Sequence, residues 1–192
     1  MTMLFAIGAG ILLAASAGLR AFMPLLGLGL AARLLDWPVA TSMQWIATDA
    51  ALIGLTVAAL AEIVADKVPA VDHVLDMIHT VVGPLAGALV AFTAWGDLPG
   101  PVGMILALAL GVPLAGGVHL ISATTRVKST ALTAGTANPV VSAAEDGISI
   151  GAIVIAFVAP VLALIGAIVV LIVIGRFVSR RLARRKPQLP LT

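Results

Sequence analysis

Ile148-Ser-Ile-Gly-Ala-Ile-Val-Ile-Ala-Phe-Val-Ala-Pro-Val-Leu-Ala-Leu-Ile-Gly-Ala-Ile-Val-Val-Leu-Ile-Val-Ile-Gly175 runs for twenty-eight residues without a charge, and Arg176-Phe-Val-Ser-Arg-Arg-Leu-Ala-Arg-Arg-Lys186 then brings six cations. As one helix the uncharged stretch would rise about 42 Å. A bilayer's hydrocarbon core of roughly 30 Å is crossed by about 20 apolar residues. The stretch therefore predicts a membrane span, and cations at its end belong on the cytoplasmic side. Every other charge in the chain is then read against lipid rather than water.

Composition agrees. Hydrophobic residues make up 61% of the 192 residues and charged ones 10%, against about 45–50% and 25% in soluble domains. So much apolar surface predicts an all-α, polytopic transmembrane helix bundle of about six spans, with one transmembrane domain over 1–175 and a basic cytoplasmic tail over 176–192. The net charge of +2 is misleading. Without the stretch from Arg176 to Lys186, five cations face nine carboxylates, which argues against a nucleic-acid partner. The tail is a topology signal with some attraction for anionic lipid. With no cysteine there is no disulfide, thiolate nucleophile or Cys-ligated metal. Met1 to Leu19 is similar to a signal peptide, with Ala15-Ser16-Ala17 in place of a cleavage site, but it lacks a basic leading segment. It reads as a retained first helix.

Apolar runs predict helices near 4–19, 21–35, 49–66, 74–95, 101–123 and 148–175. The stretch from Val127 to Gly147 is built of small polar residues, broken by Asn138-Pro139 and closed by Glu145-Asp146. Irregular backbone at membrane depth survives only inside protein or beside a watery cavity. A re-entrant or broken-helix segment is the preferred reading, with an extramembrane loop as its alternative. Gly18, Leu19 and Arg20 alone separate the first two runs, so these form a tight hairpin or a second re-entrant pair. With 127–147 re-entrant and the tail inside, Trp37, Trp45 and Trp95 fall at the cytoplasmic interface and nearly all non-tail charge gathers on the other face. If 127–147 spans instead, the N-terminal half inverts.

Ionisable groups at membrane depth cost several kcal/mol unless paired or hydrated, so they are functional candidates. The predicted ion- or substrate-binding set is Arg20, Glu62, Asp66, Arg126, Lys128, Asn138, Glu145 and Asp146, with Asp72, His73, Asp76, His79 and His119 as secondary candidates. Glu62 and Asp66 share a helix face four residues apart. Two carboxylates in one cavity suit proton carriage or cation coordination; the alternative is that they pair with arginines and hold helices together. Asp72, Asp76 and His79 share a face at ligand-like spacing, yet acids in a first turn also complement a helix dipole. Whether a metal binds is left open. His119 is a proton-relay candidate or a packing residue. The tetrads Ser16-Ala17-Gly18-Leu19 and Ser122-Ala123-Thr124-Thr125 each precede an arginine, and Leu60-Ala61-Glu62 matches Ala143-Ala144-Glu145. Internal repeats of this kind mark transporters built from two related halves. No hydrolase elbow, phosphate loop or zinc motif is present, so neither an enzyme nor a cofactor is expected. Asn138-Pro139 is similar to the turns of water channels, which need two.

The stretches Ser16-Ala-Gly-Leu-Arg-Ala-Phe-Met-Pro24, Ala61-Glu62 and Arg126-Val-Lys-Ser-Thr-Ala-Leu-Thr-Ala-Gly-Thr-Ala-Asn-Pro139, leading to Glu145-Asp146, carry a resemblance. The chain resembles a family of small bacterial integral membrane proteins catalogued as domain of unknown function 4126, over most of its length to about Gly175. That resemblance implies a multi-pass protein of the bacterial inner (cytoplasmic) membrane and no assigned chemistry. Three functions remain. The first is a permease for a small polar or ionic solute, proton- or cation-coupled, working through a charged cavity between two half-repeats. The second is a translocase for a phosphate-bearing lipid carrier, with Arg20 and Arg126 as a phosphate clamp. The third is a non-transporting structural subunit. The expected partners are the lipid bilayer and a small ion, solute or lipid phosphate, with a homo-oligomer also compatible. Four cations against six carboxylates favour proton or cation coupling over an anion site.

Overall fold

The computed structural model describes residues 3–67, 69–99 and 101–184; within those ranges the side chains of 3–4, 69–73, 160 and 183–184 are not among the described ones. Every regular element among the described residues is helical: α1 (Met3–Ser16), α2 (Phe22–Leu34), a 3₁₀ helix (Thr41–Ala47), α3 (Asp49–Ala65), α4 (Pro69–Trp95), α5 (Val102–Leu106), a π turn (Ala107–Gly111), α6 (Val112–Thr133), α7 (Asn138–Val158) and α8 (Pro160–Arg184). The run from α5 through α6 is unbroken over Val102–Thr133. Its π turn lies just before Pro113, which cannot donate to the helical ladder and crowds the carbonyl four residues back.

Among the described residues, four stretches are long and apolar enough to cross a bilayer: Val74–Trp95, Val102–Thr133, Asn138–Val158 and Val161–Leu182. The 3₁₀ helix and α3, bent by 69°, make a fifth if taken as one span. The described residues thus give four or five candidate spans where six are expected. Helices α1 and α2, with 14 and 13 residues, reach only about 20 Å each, short of the bilayer core. They form a hairpin. The start of α1 meets the end of α4, where Trp95 Nε1 donates to the Ala6 carbonyl at 3.1 Å. The chain after α2 returns to that same end, where Ala40 N–H donates to Thr93 O at 2.8 Å. Arg20 is the apex.

These contacts define two faces. The tryptophan face holds Trp37, Trp95 and Asp97, with Trp37 edge-on to Phe157 of α7 at 4.9 Å. At the opposite, charged face, α7 brings Ser142 and Asp146 to Arg20. Helix α8 returns to that charged face, where Arg181 Nη2 donates to Thr124 Oγ1 at 2.6 Å. The basic stretch and the buried charges thus share one face, and α1 starts from the other.

Two expectations are corrected here. Residues 127–147 are neither re-entrant nor a loop: α6 continues to Thr133, the chain reverses through Ala134 (φ 50°) and Gly135 (φ 85°), and α7 begins at Asn138-Pro139. Left-handed backbone after a helix favours glycine, and proline suits a first helical turn. The run 148–175 is not one span. It breaks at Ala159 (φ −135°, ψ 74°), where Pro160 disfavours helical backbone in the residue before it. The crossing added by α7 inverts the N-terminal half relative to the tail.

The bundle is apolar outside, and within it a core of small and aliphatic residues adjoins buried charges at one face. Ile53, Val57, Leu60 and Val64 of α3 are all exposed, as are Ile165, Ile168, Val169 and Ile172 of α8, which is the stripe expected of lipid-facing helices. Inside, backbones approach through small residues, as membrane helices require. A Cβ on Gly111 would lie 2.6 Å from the Gly87 carbonyl oxygen, and one on Gly18 would collide with the Ala115 carbonyl.

Candidate functional site

The hairpin apex is held by charge. Arg20 is 1% exposed and sits in the turn between α1 and α2. Its Nε meets Asp146 Oδ1 at 2.6 Å and its Nη2 meets Asp66 Oδ2 at 2.5 Å. Asp66 follows the last residue of α3. Arg126, on α6, grips it from another side, with Nη1 at 2.5 Å from Oδ1 and Nη2 at 3.0 Å from Oδ2. The Nη2 of Arg126 also pairs with Glu145 Oε2. Ser142 Oγ donates to Asp66 Oδ2, and Ser122 Oγ donates to Glu145 Oε1. Lys67 closes the ring, with Nζ 2.9 Å from Asp146 Oδ2. Three cations thus face three carboxylates, each paired. Such matching is what a low-dielectric interior demands of charge.

Glu62 performs a separate task. Its Oε1 accepts from Ala21 N–H at 2.8 Å and its Oε2 from Phe22 N–H at 3.3 Å, so a carboxylate of α3 caps the N-terminus of α2. The first N–H groups of a helix have no intrahelical partner, and in an apolar slab each would cost several kcal/mol. His79 of α4 places Nε2 2.5 Å from Glu62 Oε1, off the line of a good hydrogen bond. His119 Nε2 lies 3.3 Å from Thr80 Oγ1, and the two imidazole rings are 6.0 Å apart.

A cavity of about 10 Å³ lies among these groups, bordered by Arg20, Asp66, Asp76, His79, His119, Ser122 and Arg126. That volume is about the least that admits one water. From the tryptophan face a larger cleft of about 290 Å³ enters between Ala6, Ala9, Trp37, Val39, Ala94 and Asp97 and ends at Leu13. Between Leu13 and Arg20 lie the last turn of α1 and the connection after it, seven residues or about 10 Å at helical rise, closed by Ala14 and Ala17, both fully buried.

Of the predicted residues, Arg20, Glu62, Asp66, Arg126, Glu145 and Asp146 converge, with His79, His119 and Asp76 alongside. Two are corrected. Lys128 is exposed and makes no ion pair among the described residues; it stands two residues, about 200° of helical turn, from Arg126. Asn138 donates to Thr130 Oγ1 at 3.0 Å across the α6–α7 turn, outside the network. Asp72 and His73 lie outside the described side chains. No group of three or more metal-ligating side chains forms among the described residues. The sequence reading missed Ser122 and Ser142. Helical phase points to both, since Ser122 precedes Arg126 by four residues and Ser142 precedes Glu145 and Asp146 by three and four. The two tetrads also differ in use: Ser16 Oγ donates to Leu13 O within its own helix, whereas Ser122 reaches across to α7.

The family model described as Domain of unknown function (DUF4126) matches residues 7–180, and the chain belongs to that family. No curated protein and no solved structure matches it.

Proposed function

We propose that this member of the DUF4126 family is a small membrane permease, not an enzyme, held in a state closed at its charged face. The carrying observation is the pairing of a charge-balanced network, buried except for Lys67, with a cleft that enters from the opposite face and reaches along α1 as far as Leu13. Ionisable groups at membrane depth are costly and are retained for function. A hairpin of two helices too short to span, with an arginine at its apex, is the element whose movement would join cleft and network. Asp66, Asp76, His79 and His119 border the small cavity, which supports coupling to protons. Lys67, Lys128, Arg176, Arg180 and Arg181 lie on the network's face, against Arg33 on the other, so the positive-inside rule assigns the charged face and the C-terminus to the cytoplasm of a bacterial inner membrane.

Proteoliposomes carrying a pH-sensitive dye test this reading. A panel of small polar and ionic solutes is expected to yield at least one that moves protons with it, and Arg20→Ala and Glu62→Gln are expected to abolish that movement. Wild-type vesicles that match empty ones for the whole panel would remove the permease, and both variants at wild-type rates would remove Arg20 and Glu62 from its mechanism. Completeness of pairing favours a second reading, in which the network only fastens helices. That reading expects the same variants to lose thermal stability while no solute ever moves.

A further inference from the structure

We propose that Arg20 and Arg126 form a binding site for the carboxylate group of a small anion, and that Asp66 occupies this site as an internal stand-in. The inference rests on the permease reading and gives its substrate a chemical class.

Asp66 is recognised as a carboxylate ligand is. Arg126 presents both terminal nitrogens to both oxygens, at 2.5 and 3.0 Å, the planar fork that matches a carboxylate. Arg20 adds a donor to Oδ2 at 2.5 Å, and Ser142 Oγ donates to the same oxygen. Those four donors fill the roughly four acceptor positions of an ionised carboxylate. The group bound so completely comes from the residue just past the end of α3, not from mid-helix. It can withdraw without dismantling the helix.

The arginines, by contrast, are fixed independently of it. Arg20 keeps Asp146 and Arg126 keeps Glu145, so departure of Asp66 leaves both guanidinium groups in place. Charge sets what replaces it. Without Asp66, Arg20, Arg126 and Lys67 keep Glu145 and Asp146 as ion-pair partners, one carboxylate fewer than the three cations. A monoanion restores the balance. The adjoining cavity, near one water in size, requires that the incoming group take the volume Asp66 vacates. Exchange proceeds when Asp66 takes a proton from the aqueous phase and turns away, so one proton enters with each anion. The titratable and charged groups facing Asp66 are Arg20 from the hairpin turn, Glu62 and Lys67 flanking it, Asp76 and His79 from α4, His119 and Arg126 from α6, and Glu145 and Asp146 from α7. Arg181 of α8 is turned to Thr124.

The test uses formate, acetate and inorganic phosphate on the full-length protein in detergent. Asp66→Ala is expected to gain about 5 °C or more in Tm from saturating formate or acetate, and Arg126→Ala on that background removes the gain. No gain, or a gain that survives loss of Arg126, overturns the site. Wild-type protein gives a second measurement should Asp66→Ala not fold. Its affinity for ¹³C-formate is expected to rise at least about tenfold from pH 8 to pH 5; flat affinity or no binding overturns the exchange. Phosphate, or a lipid phosphomonoester in mixed micelles, stabilising Asp66→Ala more than formate overturns the carboxylate assignment in favour of phosphate chemistry. Formate binding without solute flux sinks the permease and spares the site; flux without formate binding does the reverse.

Discussion

At the charged face, the α1–α2 turn, α3, α6 and α7 are tied by side chains of opposite charge, with two arginines meeting on Asp66. At the tryptophan face the same chain is joined by small-residue contacts, one indole hydrogen bond to Ala6, and Asp97 accepting from Thr41 N–H at 3.0 Å. One end is tied by ion pairs around a cavity of about 10 Å³. The other admits a cleft of about 290 Å³. Breaking an ion pair in a dry interior strands a charge, whereas parting small apolar surfaces strands nothing. The difference teaches where the barrier lies: opening at the charged face needs a substitute partner for each charge, and opening at the tryptophan face needs only water.

The largest predicted effect breaks that contrast at its centre. Arg126→Ala leaves Asp66 and Glu145 short of a shared cation, and removing one partner of a buried ion pair costs about 3–5 kcal/mol. Chemical denaturation in detergent should show that loss. A change under about 1 kcal/mol would mean that the charged end is hydrated and loosely held. At the other end the sensitive quantity is space. Gly111→Ala places a methyl group against the Gly87 carbonyl and the Ala88 backbone, neither of which can yield, so an overpacking cost of about 1–3 kcal/mol is expected. Gly54→Ala, where a Cβ meets nothing, is expected to be neutral or slightly stabilising through helix propensity. Equal effects of the two glycine substitutions would refute the close approach of α4 and the π turn. Ser142→Ala comes next, at about 1–2 kcal/mol for a buried donor lost to a charged acceptor. Thermal unfolding alongside Ser149→Ala, whose buried hydroxyl makes no hydrogen bond to a described residue, separates the network's contribution from simple burial.

How far the sequence foretold this follows from which physical signal each feature gives. Membrane class, the short paired runs meeting at Arg20, and convergence of Arg20, Glu62, Asp66, Arg126, Glu145 and Asp146 were legible because charge in lipid has few places to go. The span count was not. Val127–Gly147 lies on α6 and α7, whose inward faces carry small polar groups, and hydropathy cannot tell such a face from a loop. Phase could, since Ser122, Arg126 and Ser129 recur at helical spacing, as do Ser142, Glu145 and Ser149. The reversal at Ala159-Pro160 was invisible to charge counting because neither side of it carries a charge. Counting that run once placed Lys67 and Lys128 opposite the basic tail, against the positive-inside rule. The structure puts them all on one face and removes the conflict.

The smallest predicted effect sharpens the boundary of the charged end. Lys128 and Arg126 are near neighbours in sequence and both cationic, so an argument from charge clustering alone expects both to matter. Helical geometry separates them by about 200°, and Lys128 is exposed. A surface substitution away from any partner usually changes stability by no more than about 0.5 kcal/mol. Lys128→Ala should therefore unfold within about 0.5 kcal/mol of wild type and leave any solute movement intact, while Arg126→Ala loses both. A Lys128→Ala loss approaching that of Arg126→Ala would mean that the network extends around α6 to its exposed face, and that the ion pairs on Asp66 and Glu145 do not mark the boundary of the charged end.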